Sequence, residues 1–269
     1  MAKPDDNADA APNAGGGKVY SAPALEKSID ILELLASSAA PLTISEIAQR
    51  LGRSISEVFR VIIVMERRGW LHRDPDNDKF RVTYKVLDVA FRATPAQELT
   101  NVAAPIMHDL SAQTNQSCHL VVRGDERGMV VQRQENIGPV GFGMRLGASV
   151  DLITSCSGHV LLAFAPEERR ERLLAVLPRP ASLSIDRLRE RLEVVRIQGH
   201  EMQPSVRTAG VTDMSYPVFG FDNGVAAALT VPFLVTIDGS QKTDMEETRQ
   251  LLRVAARRIS HGLGWTEGA

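Results

Sequence analysis

Cysteine is scarce in this sequence: Cys118 and Cys156 are the only two among 269 residues. This excludes a small secreted scaffold held together by disulfides and makes a reducing cytoplasm the expected compartment. No apolar run approaches the roughly 18 residues of a membrane span, so no membrane partner is expected. Residues Met1 to Gly17 contain no apolar core and do not resemble a secretory signal.

Positive charge is not in excess either. Lys and Arg number 31 against 33 Asp and Glu, which gives a net charge of −2 with histidine neutral. Any binding to nucleic acid must therefore come from a local patch. Between Arg50 and Arg81 there are eight basic residues against five acidic ones. The eight are Arg50, Arg53, Arg60, Arg67, Arg68, Arg73, Lys79 and Arg81.

The composition is that of a globular protein, with 43% hydrophobic and 24% charged residues. At about 150 residues per domain, the length allows two domains. Residues 1–20 are rich in Ala, Asp, Asn, Pro and Gly, and they bury too little apolar surface to offset the entropy of ordering. We expect them to form a disordered tail.

Residues 21–84 predict three short helices followed by two short strands. Apolar residues recur with helical spacing from Ala24 to Ser37, over residues 44–51, and in a third segment that ends near Arg68. Trp70–His72 and Lys79–Thr83 are strand-like and enclose a polar turn. This order predicts a winged helix-turn-helix, in which the second helix of the pair fits the major groove of DNA.

Hydroxyl residues mark where two of these helices begin. Thr43 or Ser45 can cap the second helix, and Ser54 or Ser56 can cap the third. The sequence alone does not choose within either pair.

The rest of the chain predicts a helical linker and a second domain. Residues 85–114 favour helix, with Pro95 and Pro105 as breaks. Residues 115–269 contain hairpin signals at residues 124–128 and 222–224, several helices between them, and a last helix from about Asp244 to Leu263. Because strands and helices do not strictly alternate, we expect an α+β domain with an antiparallel sheet.

Several ordered motifs resemble the IclR family of bacterial transcriptional regulators. The N-terminal motifs are residues 24–32, 42–48 and 66–75, and the C-terminal motifs are His119-Leu120, residues 155–164, Pro217-Val218-Phe219 and residues 259–264. The resemblance covers roughly residues 21–265. It implies a winged helix that binds palindromic double-stranded DNA operators, a GAF-like effector-binding domain, a homodimer or homotetramer, and a small organic effector. It implies no enzyme activity and no cofactor.

The resemblance and the helix-turn-helix pattern together name candidate contacts. For DNA they are Arg53, Ser54, Ser56, Glu57, Arg60, Lys79 and Arg81. Arg60 is the strongest candidate, because arginine contacts guanine bidentately or grips phosphate. Glu57 departs from the family, which usually has a Ser-Thr pair here; a carboxylate accepts a bond from cytosine and repels phosphate.

For the effector, the candidates are His119, Ser155, Cys156, Ser157, Gly158, Val211, Asp213, Leu229 and Val231. Residues 155–158 precede a predicted helix, whose free N–H groups and dipole favour an effector carboxylate. Simple capping by Ser155 or Ser157 is an equal alternative. Asp213 favours an effector that carries a hydroxyl group, unless it pairs with Arg207. The apolar Leu229 and Val231 argue against a very small keto acid.

Two other interpretations use the cysteines. Cys156 and His159 stand three residues apart and are compatible with a zinc site, although cysteine is more often a small buried residue. Cys156 with His119 or His159 would form the nucleophile and base of an enzyme, but no third orienting residue is indicated. We therefore predict neither a metal nor a catalytic residue, and the enzyme remains the alternative hypothesis.

Overall fold

The computed structural model describes residues 22–93, 96–138 and 141–267. The chain divides between Ala93 and Thr94 into two compact units. The segment expected as a helical linker, residues 85–114, contains two helices, Lys85–Ala93 and Ala96–Thr114, which belong to different units. The predicted disordered tail and Pro95 lie outside the described residues.

The first unit is a winged helix-turn-helix. Its elements are α1 (Pro23–Ser37), α2 (Ile44–Arg50), α3 (Ile55–Arg67), β1 (Leu71–Arg73), β2 (Phe80–Val82) and α4 (Lys85–Ala93). Strands β1 and β2 pair antiparallel, with His72 opposite Arg81. Ile31, Ile47, Ile62 and Phe80 are fully buried and join the three helices to the wing.

Capping boxes define where α2 and α3 begin. Thr43 accepts from the backbone N–H of Glu46, whose side chain returns to the N–H of Thr43. Ser54 and Glu57 form the same reciprocal pair at the start of α3. Each box satisfies two N–H groups that the helix itself leaves without acceptors. Ser45 and Ser56 are therefore not the caps.

The second unit is an α+β domain. Its elements are α5 (Ala96–Thr114), β3 (Cys118–Arg123), β4 (Gly128–Gln134), β5 (Ser149–Val150), α6 (Cys156–Ala163), α7 (Glu167–Val176), α8 (Ile185–Gln198), β6 (Glu201–Pro204), β7 (Val211–Phe219), β8 (Val225–Leu234) and α9 (Met245–Gly262). Over the described residues the strands form one antiparallel sheet in the order β5-β4-β3-β8-β7-β6. None of the described helices is long and apolar enough to cross a membrane.

Helices cover both faces of this sheet. One face packs on α5 and α9, through residues such as Met107, Leu229 and Leu252. The other face packs on α6, α7 and α8, through residues such as Leu161 and Leu192. Since side chains alternate between faces along a strand, the register of β8 decides which of its residues face which helices.

Two features differ from the sequence-based expectation. Pro105 does not break the helix: α5 continues through it, and Ala103 and Met107 are fully buried on either side. That packing outweighs the single backbone hydrogen bond that a proline removes. Strands β5 and β6 were not predicted, because two and four residues are too short to show alternation.

Candidate functional sites

The outward side of α3 presents Ser56 and Arg60 to solvent. The opposite side, through Val58, Ile62 and Met65, is buried in the core of the first unit. Arg60 donates from Nε to the backbone oxygen of Ser56 at 3.3 Å, and no described carboxylate forms an ion pair with it. Its terminal nitrogens therefore remain available for a bidentate contact with guanine or phosphate.

Three other candidates on α3 and its approach are engaged within the protein. Arg53 pairs with Asp30 at 2.7 Å, and Glu57 pairs with Lys27 at 2.6 Å. The ammonium group of Lys27 and the capping bonds from Ser54 lower the pKa of Glu57 to about 2. Glu57 is therefore anionic and links α3 to α1, so a contact with cytosine would compete with these partners.

The wing supplies two further cations. Arg81 is exposed on β2, and Lys79 is half-buried immediately before that strand. The turn between the strands is held by Asp74, which accepts from the backbone of Asp76 and the side chain of Asn77. The structure thus places Lys79 and Arg81 at the base of an ordered turn.

A small pocket of about 40 Å³ lies in the second unit. Polar or titratable lining residues are His119, Ser155, Cys156, Ser157, Ser205, Arg207, Asp213 and Thr230. The apolar lining is Phe142, Met144, Val150, Val206 and Pro232. The pocket therefore combines apolar walls with a small set of polar groups.

A row of polar side chains lies on the pocket face of the sheet, and two of them, His119 and Thr230, line the pocket. His119 lies opposite Thr230, which lies opposite Ser215, so the three share one face of β3, β8 and β7. Ser215 and Thr230 hydrogen bond to each other at 2.9 Å. His119 is buried, its Nδ1 has no partner among the described residues, and burial lowers its pKa to about 4. A neutral imidazole with a free nitrogen is suited to hydrogen bond with a ligand.

The start of α6 forms another side of the pocket. Ser155 caps the helix and accepts from the N–H of Gly158 at 3.0 Å. The N–H groups of Cys156 and Ser157 precede any intrahelical acceptor, so they are open to an anion. Ser155 therefore caps α6, and Ser155, Cys156 and Ser157 all line the pocket.

Behind α6, a buried charged network holds this helix start in place. His159 Nδ1 lies 2.8 Å from a carboxylate oxygen of Glu201, and its Nε2 lies 2.8 Å from the backbone oxygen of Ile153. Each ring nitrogen therefore has a polar partner. Burial alone raises the pKa of Glu201, but hydrogen bonds from His159 and Arg191 outweigh it and lower that pKa. The network joins α6 to α8 and β6.

Asp213 lies on the pocket side of β7. Burial raises its pKa, and a hydrogen bond from Ser205 and the charge of Arg207 oppose that rise. No ion pair with Arg207 is formed; that guanidinium donates to the backbone oxygen of Ser149 at 3.3 Å. Asp213 therefore remains available to accept a bond from a ligand hydroxyl.

Four predicted effector contacts do not line this pocket. Leu229 and Val231 are fully buried on the opposite face of β8, against α5 and α9, and Thr230 between them lines the pocket instead. Val211 is buried and does not line the pocket. Gly158 is also absent from the lining and packs against the backbone of Leu152.

Other lining residues escaped the sequence analysis. Phe142 and Met144 lie in a segment without secondary structure, and Ser205 and Val206 lie in the bend between β6 and β7. No local pattern marks these positions. The alternation of β8 does mark Thr230, once the register of the strand is known.

The cysteines do not have the environment of a nucleophile or a metal ligand. Burial raises the pKa of Cys156 well above its usual value, as do the charges of Glu201 and Asp213. Its Sγ lies 3.3 Å from the backbone oxygens of those two residues. Burial raises the pKa of Cys118 to about 12. No group of three His, Cys, Asp or Glu side chains suited to a metal occurs in the described part of the chain.

Comparison with known proteins agrees with this architecture. The family model for the IclR helix-turn-helix domain matches residues 24–75, and the model for the C-terminal domain of the bacterial transcriptional regulator IclR matches residues 91–261. The chain belongs to the IclR family. It is a DNA-binding transcriptional regulator of IclR type with a ligand-binding C-terminal domain.

The family relatives include characterised regulators and solved structures. The chain is 24% identical to the regulator XynR of Escherichia coli over 90% of its own length and 97% of that protein. It is 27% identical to an IclR homologue from Microbacterium hydrocarbonoxydans solved with 4-hydroxybenzoate, at a TM-score of 0.74 over 89% of this chain and 98% of that one. IclR of Thermotoga maritima shares the fold at 23% identity, with a TM-score of 0.70 over 90% and 98%.

Proposed function

We propose that this IclR-type regulator senses a hydroxylated aromatic or similar small organic acid and binds a palindromic operator as a homodimer or homotetramer. The observation that carries the proposal is the pocket of the second unit. It combines open N–H groups at the start of α6, a neutral buried His119 with a free Nδ1, and Asp213 among apolar walls. The homologue from Microbacterium hydrocarbonoxydans binds 4-hydroxybenzoate, a ligand of this chemistry.

Each part of such a ligand has a partner of matching chemistry. The carboxylate would accept from the N–H groups of Cys156 and Ser157, where the dipole of α6 favours negative charge. The ring would contact Phe142, Met144 and Pro232. A ring hydroxyl would donate to Asp213 or pair with His119, because a second carboxylate placed near Asp213 would be repelled.

On DNA, we propose that Arg60 and Ser56 contact base edges. Lys79, Arg81 and Arg53 would contact phosphates. Arg53 would then have to leave Asp30 and pair with a DNA phosphate instead. Ser54 and Glu57 would act by fixing the start of α3. The buried, protonated thiol of Cys156 argues against the enzyme hypothesis, since a nucleophile needs thiolate.

Thermal stabilisation by small acids tests the effector class. We would compare 4-hydroxybenzoate with benzoate, which lacks the hydroxyl, and with 4-hydroxybenzyl alcohol, which lacks the carboxylate. At a ligand concentration 100 times Kd, binding stabilises the folded state by about 2.7 kcal/mol. The proposal predicts the largest rise in Tm with the complete acid, and a smaller rise in Asp213→Asn. If no hydroxylated acid raises Tm, the proposed effector class is wrong.

DNA selection from a random-sequence library tests the operator. We expect a palindromic sequence, bound by two recognition helices about 34 Å apart. Arg60→Ala should cost about 1–3 kcal/mol of binding free energy on that site and relax its sequence specificity. Lys79→Ala should weaken binding to all sequences alike and reduce the slope of log affinity against log salt concentration by about one. Recovery of no preferred sequence would contradict operator binding by the free protein.

A further inference from the structure

The outward side of α3 carries two large apolar side chains beside Arg60. Ile55 is 54% exposed and Phe59 is 48% exposed. They stand four residues apart, so they are neighbours on the helix surface. The core of the first unit uses other residues of α3, and no described aromatic ring packs on Phe59. The packing of the unit therefore does not account for this pair.

The surroundings of the pair identify what would cover it. Ile55 is the first residue of α3 and Phe59 lies one turn later, in the N-terminal half that contacts base edges in a helix-turn-helix. Arg60 is adjacent, Arg81 is on the wing, and residues 50–81 carry the local excess of positive charge. This charge complements a phosphate backbone, so the occupant is duplex DNA.

We propose that Phe59, with Ile55 beside it, recognises the 5-methyl groups of thymines in the major groove of the operator. The methyl group of thymine is the apolar feature that base pairs present in that groove, and phenylalanine is among the side chains that contact it. Burying the two side chains against methyl groups removes their apolar surface from water. The inference rests on the proposed operator binding and names part of the sequence that α3 recognises.

Replacement of thymine by uracil tests this contact atom by atom. A duplex is first selected from a random-sequence library with the wild-type protein, and each thymidine is then replaced singly by deoxyuridine. The replacement removes the methyl group and keeps the base pair. At one or two positions in each half-site, we expect about fourfold weaker binding, since a buried methyl contributes about 0.8 kcal/mol. Affinities are compared at one salt concentration.

Two variants assign the methyl dependence to a side chain. In Phe59→Ala, the thymidine and deoxyuridine duplexes should bind equally at the sensitive positions. Val64→Ala is the matched control: Val64 lies on the same helix at 43% exposure but in its C-terminal half, so the fourfold ratio should persist. Thermal midpoints show whether both variants are folded. The deoxyuridine replacements measured with the wild-type protein test the proposal without either variant.

The results separate this inference from the proposed function. A selected operator with no methyl-sensitive position overturns the inference and leaves operator binding intact. The same conclusion follows if Phe59→Ala keeps the full ratio, or changes only the oligomeric state in sedimentation, since the face would then contact protein. If the library yields no preferred sequence, both this inference and the proposed operator binding are overturned.

Discussion

Replacing Glu201 by glutamine should destabilise the second unit strongly, because Glu201 is the shared acceptor of the network behind the pocket. Its side chain is 1% exposed. The carboxylate accepts from His159 at 2.8 Å, from Arg191 Nε at 2.8 Å and from the N–H of Met202 at 2.7 Å. Glutamine keeps the shape but removes the charge and places an NH₂ group among donors.

The size of the destabilisation depends on how much each partner of Glu201 loses when the carboxylate is replaced. Removing one member of a buried ion pair costs about 3–5 kcal/mol. The side chain of Arg191 is 43% exposed and regains water, whereas His159 is buried and does not. We therefore expect the lower end, about 3 kcal/mol. At about 2–4 °C per kcal/mol for a domain of this size, Tm should fall by about 9 °C.

Tryptophan fluorescence follows this unit selectively in a Trp70→Phe background, because Trp265 then remains as the reporter. Glu193→Gln is the matched control: it removes an exposed ion pair with Arg196 on α8 and should change Tm little. His159→Gln combined with Glu201→Gln should cost less than the sum of the two single changes. The reasoning is refuted if Glu201→Gln lowers Tm no more than Glu193→Gln does.

Three further predictions follow from the buried groups of the second unit. Burial holds the pKa of His119 at about 4, below its usual value of 6.5, so the unfolded chain binds more protons than the folded protein between these values. The free energy of unfolding should then fall by about 3 kcal/mol as pH drops from 7 to 4. Urea denaturation at the two pH values should show a smaller fall in His119→Gln. Equal falls in the variant and the wild type would contradict this. The thiols of Cys118 and Cys156 should not react with a disulfide reagent at pH 8 until the protein unfolds, and rapid labelling of the native protein would show that the thiols are not buried as described. Gly158→Ala places a Cβ 2.5 Å from the backbone oxygen of Leu152, which should destabilise the unit by about 1–3 kcal/mol in calorimetry; an unchanged Tm would mean that α6 shifts freely.

Much of the fold was predictable because it is encoded locally. The winged helix-turn-helix follows from helical spacing, helix caps and a polar turn, all within about 60 residues. The start of α6 was found in the same way, from Ser155 ahead of an apolar segment. Pro105 shows the limit of local rules, because the packing of α5 on the sheet outweighs the expected break.

The site was less predictable, because it depends on register and on distant pairs. A shift of one residue on β8 exchanges Leu229 and Val231 for Thr230 in the pocket, and no local pattern specifies that register. His159 and Glu201 are 42 residues apart. The local sequence around either residue does not indicate that the two are in contact.

The sequence by itself determined the order and type of the elements, the local basic patch and the family, because these depend on residues close together in the chain. The tertiary structure alone decided which face of each strand lines the pocket and that Glu57 pairs with Lys27. It also decided that burial keeps His119 neutral and that His159 contacts Glu201. Protonation and side-chain contacts depend on burial and on distant partners, and these exist only once the chain has folded.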